Sequence, residues 1–102
     1  MLISVIIPTY NPNIQRLEQT LTGLKIQSLP YKFWELLIVD NNSSTVFTDK
    51  IDISWQPGSS IISEPRQGLT YARLKGFSSA KGDIIVMVDD DNILQEDYLQ
   101  QV

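Results

Sequence analysis

The sequence predicts an α/β fold in which a mostly parallel sheet is flanked by helices. Three observations support this prediction. Apolar runs rich in isoleucine, leucine and valine alternate with segments of helical periodicity. The apolar runs are nearly unbroken, as in strands that are buried on both faces of a parallel sheet. A cluster of polar residues follows each run directly, and the strand ends of a parallel sheet share one edge.

The first strand and the first helix are predicted near the N-terminus. An apolar strand over 2–7 ends at Pro8. Asn11 is expected to cap the helix that follows, with Pro12 at its first position. Apolar residues at spacings of three, four and three define the helix face that packs on the sheet. These residues are Ile14, Leu17, Leu21 and Leu24. The helix ends at Leu29-Pro30.

Two further strands are predicted in the middle of the chain. The second strand covers 34–39 and stops at a polar segment that begins with Asp40. Residues 45–53 are compatible with a short helix, and a turn follows at 56–58. A short third strand is predicted over 61–63, where isoleucines precede another polar cluster.

The last third of the chain predicts a second helix over 69–80 and a fourth strand over 83–88. Small residues recur at every fourth position of this helix, which allows it to lie close to the sheet. They are Ala72, Gly76 and Ala80. Lys81-Gly82 ends the helix. A further helix is expected over 92–102.

Strands joined by helices in this way form right-handed parallel units and a Rossmann-like sheet, for which we predict the strand order 3-2-1-4. All four polar clusters then lie at the carboxyl edge of the sheet, where open α/β sheets bind ligands. The fourth strand becomes an edge strand. Because an exposed apolar edge invites pairing with another chain, we expect self-association through it.

The length and composition exclude several kinds of site. The 102 residues suffice for one small domain, and they include no cysteine and no histidine. This excludes disulfides, thiolate metal sites, a Ser-His-Asp triad and an imidazole base. The net charge of −4 disfavours nucleic acid as a partner. The apolar N-terminus has no basic leader and is too short for a signal peptide or a membrane span, so we expect a cytoplasmic location.

Three consecutive aspartates, Asp89 to Asp91, follow the fourth strand. Because side chains alternate along a strand, Asp89 and Asp91 are expected to face the same way. Two carboxylates about 6 Å apart would repel each other by roughly 3 kcal/mol at a dielectric of about 20. A cation between them would offset this repulsion, and an all-oxygen ligand set suits Mn²⁺, Mg²⁺ or Ca²⁺. The alternative is a solvated acidic turn that caps the next helix.

A diphosphate is the expected ligand of such a metal at this edge. The glycine-rich motifs that usually bind phosphates are absent from the sequence. Positive charge would therefore come from the metal together with Arg66 or Arg73. Asp40 can accept from a base N–H, and Tyr10 offers a flat ring. The alternatives are a turn cap for Asp40, a rim aromatic for Tyr10 and ordinary surface charges for the arginines.

Four stretches of the sequence resemble family 2 glycosyltransferases of the GT-A fold. They are S-V-I-I-P-T-Y-N (4–11), W-E-L-L-I-V-D-N-N-S (34–43), E-P-R-Q-G-L-T-Y-A-R (64–73) and G-D-I-I-V-M-V-D-D-D-N (82–92). The last stretch contains the D-x-D signature of that family. All four occur in the family's order and spacing, and together they cover nearly the whole chain.

The resemblance implies a nucleotide-sugar site at the first and second strand ends. Pro8, Thr9 and Tyr10 would line the nucleoside pocket, and Asp40 would bond the base. The resemblance also implies transfer of a sugar from a nucleotide-diphospho-sugar, with UDP favoured, to an acceptor hydroxyl. A non-catalytic nucleotide-binding module is the alternative.

Further roles follow from the resemblance for the acidic and basic residues. Asp89 and Asp90 compete for the ribose contact, because three aspartates allow two alignments of D-x-D. Asp91 would bind Mn²⁺ or Mg²⁺, with Asp89 as a second candidate ligand. Arg66 and Arg73 would be phosphate-binding or structural partners. The metal would act as a Lewis acid that offsets charge on the leaving diphosphate.

In the family, the general base and the acceptor site lie beyond the D-x-D strand, and no residue here matches that base, so we expect the base beyond Val102. We therefore expect residues 1–102 to be the nucleotide-sugar-binding half of a truncated GT-A domain without its acceptor-binding half, inactive alone. The family implies a glycan or lipid-linked acceptor and a role in polysaccharide assembly, at the inner face of the membrane if the acceptor is a lipid.

Overall fold

A four-stranded, all-parallel sheet with the order β3-β2-β1-β4 forms the centre of the molecule, in a computed structural model that describes residues 1–102. The strands are β1 Ile3–Thr9, β2 Trp34–Asp40, β3 Ser59–Ser63 and β4 Ile84–Met87. Every neighbouring pair is parallel. The predicted α/β class and the predicted strand order are therefore confirmed.

The register of β1 aligns the carboxyl ends of the two central strands. β1 pairs with β2 from Ile3↔Trp34 to Thr9↔Asp40, whereas its pairing with β4 ends at Ile6↔Met87. β1 continues through Pro8, beyond its predicted end. The backbone nitrogen of Pro8 faces β4, as does the carbonyl of Ile6, which accepts from the N–H of Val88. The hydrogen bonds between β1 and β4 end at this point. The missing N–H of Pro8 therefore breaks no hydrogen bond of the sheet.

Two α-helices pack on opposite faces of the sheet: α1 spans Ile14–Lys25 and α2 spans Leu69–Ser79. Short 3₁₀ turns occupy Tyr31–Phe33, Thr48–Lys50 and Leu99–Gln101. Neither α-helix has the length and apolar character that a membrane crossing requires.

The predicted cap of α1 was wrong by two residues. Asn13 is the N-cap, and its Oδ1 accepts a hydrogen bond from the backbone N–H of Arg16 at 3.1 Å. Asn11 instead has a left-handed backbone with φ of 44°. Its backbone N–H donates to Ser43 Oγ, and its Oδ1 accepts from the N–H of Ser44, each at 2.8 Å. These bonds to the loop after β2 hold Asn11 outside the helix.

The helix predicted over 92–102 does not form, and only its last part, up to the residue before Val102, is a 3₁₀ turn. The carbonyls that would begin the helix bond to α1 and the residues just after it. The carbonyl of Asn92 accepts from Thr20 Oγ1, and that of Gln95 accepts from Gln27 Nε2. The carbonyl of Glu96 accepts from the N–H of Ser28 at 2.7 Å. Tertiary hydrogen bonds have replaced those of the helix.

The core lies on both faces of the sheet, as the unbroken apolar strands predict. The α1 face holds the larger cluster, which includes Val5, Leu17 and Trp34. On the other face, α2 covers a smaller cluster around Ile6. A Cβ at Gly76 would lie only 2.6 Å from Ile6 Cγ2, so a residue without a side chain permits the close approach of α2. The predicted role of the small residues of α2 is confirmed at this contact.

A buried group of polar residues fixes the start of β4 at the amino end of the sheet. The Ser4 hydroxyl donates to Glu35 Oε2 at 2.5 Å, and the backbone N–H of Lys81 donates to the same oxygen at 2.7 Å. The N–H of Gly82 donates to Ser4 Oγ at 2.8 Å. A Cβ at Gly82 would lie 2.7 Å from the backbone nitrogen of Ser4, so this contact requires glycine.

β4 is an edge strand, as predicted, and Ile85 in it is 40% exposed. The other side of β4 pairs with β1. After β4, the chain continues into an acidic turn at residues 89–91. Self-association through this edge stays a prediction.

We expect Gly82→Ala to lower the free energy of unfolding by about 2–3 kcal/mol, because the added methyl group collides with backbone atoms that cannot move alone. Urea denaturation would measure this change. The matched control is Gly58→Ala, whose Cβ would lie 3.5 Å from its nearest neighbour, an ordinary contact. Equal losses in the two variants would contradict the proposed close approach at Gly82.

Candidate functional site

The acidic turn lies against the end of β1. Beyond β4, the N–H of Val88 continues the ladder by bonding the carbonyl of Ile6, and the chain then turns at 90–91. Thr9, the last residue of β1, is buried, and its hydroxyl donates to Asp90 Oδ2 at 2.6 Å. Of the three aspartates, Asp90 is therefore the one held against a neighbouring strand, and it is half-buried.

The expected common direction of Asp89 and Asp91 rested on a strand that continues through them, and the strand ends at Met87. Both residues are exposed at a turn. No three carboxylates converge into a ready metal site. Mg²⁺ and similar ions are usually held by one or two carboxylates together with substrate phosphates. Asp89 and Asp91 are exposed, so their carboxylates are accessible to an ion of this kind.

A small cavity of about 130 Å³ opens beside the acidic turn. Its lining residues are Pro8, Thr9, Tyr10, Asn41, Leu69, Ala72 and Asp90. Four of them were predicted site residues, whereas Asn41, Leu69 and Ala72 were not. Tyr10 is 47% exposed, as expected for a ring at the rim. The volume is below the 300–1,000 Å³ that is typical of small-molecule pockets, so the cavity can enclose only part of a nucleotide-sugar.

Two larger grooves, of about 400 and 560 Å³, lie along α1. Neither contains a residue that was predicted for the site. Of these three spaces, only the small cavity is lined by predicted site residues, and these are Pro8, Thr9, Tyr10 and Asp90.

Asp40 ends β2 and serves as a turn cap, which was the alternative interpretation of this residue. Its Oδ1 accepts from the backbone N–H of Ser43 at 3.0 Å. Its Oδ2 makes no hydrogen bond within the chain and stays available to an N–H of a ligand. Asp40 is half-buried but does not line the small cavity.

Arg66 is paired with Glu64 in the loop before α2. Arg66 Nη2 lies 3.0 Å from Glu64 Oε1, and its Nε and backbone N–H both donate to Oε2. The guanidinium also lies 4.6 Å from the centre of the Tyr71 ring. The structural role foreseen for Arg66 is thus present, although 63% of its side chain is exposed. Arg73 is exposed on α2 and forms no ion pair.

Hydrogen bonds from the side chain and the backbone of Arg66 hold the pKa of the Glu64 carboxyl below its usual range. The same pair raises the pKa of Arg66. Glu64 is buried in the folded chain, where water has little access. The guanidinium of Arg66 balances the negative charge of its carboxylate.

Asn41 is the polar lining residue that was not predicted from the sequence. It is buried at the end of β2, and its side chain bonds the loop before α2. Its place in a polar cluster directly after a strand was visible, but a buried asparagine and an exposed one look alike in sequence.

The general base of the predicted reaction has no candidate among the residues that surround the small cavity. The acids nearest to it, at the turn after β4 and at the end of β2, already have binding roles in the predicted site. The expectation that the base lies beyond Val102 stays a prediction.

Comparison with known proteins identifies a family. The model of the family described as glycosyl transferase family 2 matches residues 4–102. A dolichol-phosphate mannosyltransferase of Pyrococcus furiosus is 35% identical over 95 residues. That alignment covers 89% of this chain and 26% of the relative, so the chain spans about a quarter of the relative's length.

Two solved structures with a bound nucleotide-sugar have the same fold. The S. aureus TarS 1-349 structure in complex with UDP-GlcNAc has a TM-score of 0.81 at 26% identity and covers 99% of this chain and 30% of that one. The mannosyltransferase PcManGT from Pyrobaculum calidifontis, in complex with GDP-Man and Mn²⁺, has a TM-score of 0.73 at 27% identity. The superposition covers 87% of this chain and 27% of PcManGT.

The depressed pKa of Glu64 predicts a specific loss of stability in acid. The folded pKa lies below that of the unfolded chain, about 4.3, so the pair stabilises the fold above that value. This stabilisation is lost as the pH falls through the folded pKa. We expect the thermal midpoint to fall more steeply between about pH 6 and about pH 3 in the wild type than in Glu64→Gln.

The control for this comparison is Glu18→Gln, at an exposed residue of α1 that forms no ion pair. It should keep the wild-type slope. Parallel curves for the wild type and Glu64→Gln would show that the pair contributes nothing to acid sensitivity.

Proposed function

The chain belongs to glycosyl transferase family 2, and we propose that it is the donor-binding part of an enzyme that transfers a sugar from a nucleotide-diphospho-sugar to an acceptor hydroxyl. The observation that carries the proposal is the contact of Asp90 with Thr9 beside Tyr10. It joins an acidic turn to the loop that follows the central strand, at the sheet edge where open α/β folds bind ligands.

Asp40 and Tyr10 would recognise the nucleoside. The free Oδ2 of Asp40 would accept a hydrogen bond from an N–H of the base, while Ser43 keeps the carboxylate fixed through Oδ1. The exposed Tyr10 ring would pack against the base or ribose. Because these two residues lie on neighbouring strand ends, one ligand can reach both.

Asp90 would bind a ribose hydroxyl. Its Oδ2 already accepts from Thr9, which fixes the carboxylate and leaves Oδ1 for the ligand. Thr9 thereby acts on the ligand through Asp90. This arrangement favours Asp90 over the exposed Asp89 for the ribose contact, a choice that the sequence left open.

Asp91, with Asp89 as the second ligand, would hold Mn²⁺ or Mg²⁺ against the diphosphate. When bound, such an ion supplies positive charge that stabilises the departing nucleoside diphosphate. Both carboxylates are exposed at the turn, so phosphate oxygens can approach them together with the ion. Arg73, which has no partner in the chain, is the better candidate for a phosphate contact than the paired Arg66.

The donor and the acceptor are proposed from the relatives. TarS 1-349 and PcManGT bind UDP-GlcNAc and GDP-Man, respectively, so a nucleotide-sugar donor is supported, and UDP remains our preferred nucleotide. The name of the P. furiosus relative contains a dolichol phosphate. It supports a lipid-linked acceptor, with a glycan as the second candidate.

A thermal-shift panel tests the donor site. UDP, GDP, CDP and dTDP would each be added with and without Mn²⁺. One of them, at about 100 times its dissociation constant, should stabilise the fold by roughly 2.7 kcal/mol, and only when Mn²⁺ is present. Stabilisation by none of the four would count against the proposal, as would equal stabilisation without the metal.

Replacement of the proposed metal ligand should weaken the ternary complex. We expect Asp91→Ala to raise the dissociation constant of the best nucleotide in the presence of Mn²⁺ by about tenfold or more, measured by calorimetry. Asp49→Ala removes an exposed acid from a 3₁₀ turn outside the site and serves as the control. An unchanged constant for Asp91→Ala would remove Asp91 from the metal site.

A further inference from the structure

We propose that Asn41 is a positioning residue of the donor site, an inference that rests on the proposed function. Asn41 is only 4% exposed and lines the small cavity together with Thr9, Leu69 and Asp90. Its role would be to set the distance between the end of the sheet and the start of α2, and so to shape the space that the nucleoside enters.

The amide of Asn41 is fully used by the loop before α2. Its Nδ2 donates to the carbonyl of Glu64 at 3.1 Å and to that of Arg66 at 2.7 Å. Its Oδ1 accepts from the backbone N–H of Gly68 at 2.9 Å. The Nδ2 and the Oδ1 of Asn41 thus bond two carbonyls and one N–H of the same loop, within residues 64–68.

The contact with Gly68 controls where α2 begins. Gly68 has φ of 135°, which favours glycine, and it directly precedes the first helical residue, Leu69. Leu69 and Ala72 of α2 form part of the wall of the cavity that Asp90 also lines. A loop released from Asn41 would therefore move that wall.

Asn41 also connects this loop to the rest of the site. Its backbone N–H donates to the carbonyl of Thr9 at 2.8 Å, and the side chain of Thr9 holds Asp90. The ends of β1 and β2 and the start of α2 are consequently joined through one side chain and its own backbone. Glu64 adds a second link, since its N–H bonds the carbonyl of Asp40 at 2.9 Å.

The chemistry requires an amide at this position. Aspartate has nearly the same size, but its carboxylate has no N–H to donate and would place negative charge against the carbonyls of Glu64 and Arg66. Asn41→Asp should thus release the loop without changing the volume of the side chain. The matched control is Asn42→Asp, which adds the same charge one residue away, at an exposed side chain that makes no hydrogen bond in the chain.

The first measurement needs no ligand. In ¹⁵N-labelled protein, the amide hydrogen of Gly68 should exchange with solvent about tenfold or more faster in Asn41→Asp than in the wild type and in Asn42→Asp. The reason is that the released loop no longer holds the Gly68 N–H against the side-chain oxygen of residue 41. Unchanged exchange of Gly68 in Asn41→Asp would overturn the proposed link between Asn41 and the loop.

The second measurement is an NMR titration with Mg²⁺ and UDP, repeated with Mg²⁺ and GDP, well below the thermal midpoint of each variant. The dissociation constant should rise about tenfold or more in Asn41→Asp and by less than about twofold in Asn42→Asp. Asn41→Ala, which removes all three side-chain hydrogen bonds without adding charge, should also raise the dissociation constant and provides a second variant if Asn41→Asp does not fold.

The outcomes separate the two proposals. A wild type that binds neither nucleotide contradicts the proposed function, while the exchange of Gly68 still decides whether Asn41 holds the loop. A wild type that binds, together with an Asn41→Asp variant that is less stable but binds equally well, would make Asn41 a purely structural residue and overturn the inference.

Discussion

The parallel hydrogen-bonded register between β1 and β2 sets the positions of the loops that form the candidate site. Because Thr9 pairs with Asp40 at the ends of the two strands, the polar loops that follow them begin at the same level. The main-chain bond from Asn41 to Thr9 extends that alignment beyond the sheet. A shift of one residue would turn the apolar strand residues away from their cores and would separate the site residues at the same time.

The polar residues at the two ends of the sheet differ in how fully they are hydrogen-bonded within the chain. At the amino end, hydrogen bonds join Ser4 to Glu35 and to Gly82 and fix the start of β4. At the carboxyl end, Asp40 and Asp90 each use one oxygen within the chain and keep the other free. A polar group that is completely satisfied stabilises the fold, whereas one that is held on one side only is fixed in place and can still bind a ligand. This difference supports the carboxyl edge as the binding site.

The acidic residues around the site also differ in whether a partner within the chain balances their charge. The buried carboxylate of Glu64 is neutralised by Arg66, which leaves the negative charge of this edge on the aspartates of the turn. Asp89 and Asp91 are exposed, and water screens the repulsion between them when no ion is bound. The fold therefore tolerates three adjacent aspartates without a ready-made metal cage, and a metal would need the phosphates of its ligand to complete its shell.

The pattern of residues was enough to predict the α/β class, the strand order and the edge at which the polar clusters meet, because apolar runs and their alternation with helices follow directly from which surfaces must be buried. The strand order also predicted that Pro8, Thr9 and Tyr10 lie beside the three aspartates, and of these Asp90 shares a cavity with them. The folded structure was needed to show that Asn13 caps α1, that residues 92–98 form no helix, that Arg66 pairs with Glu64 and that Asn41 bonds the loop before α2. Two of these outcomes, the absent helix and the role of Asn41, depend on hydrogen bonds between residues far apart in the chain, and such bonds have no periodicity from which a sequence could reveal them. The cap at Asn13 and the pair of Arg66 with Glu64 are local contacts, but several neighbouring polar residues could have made them, and the sequence does not select one.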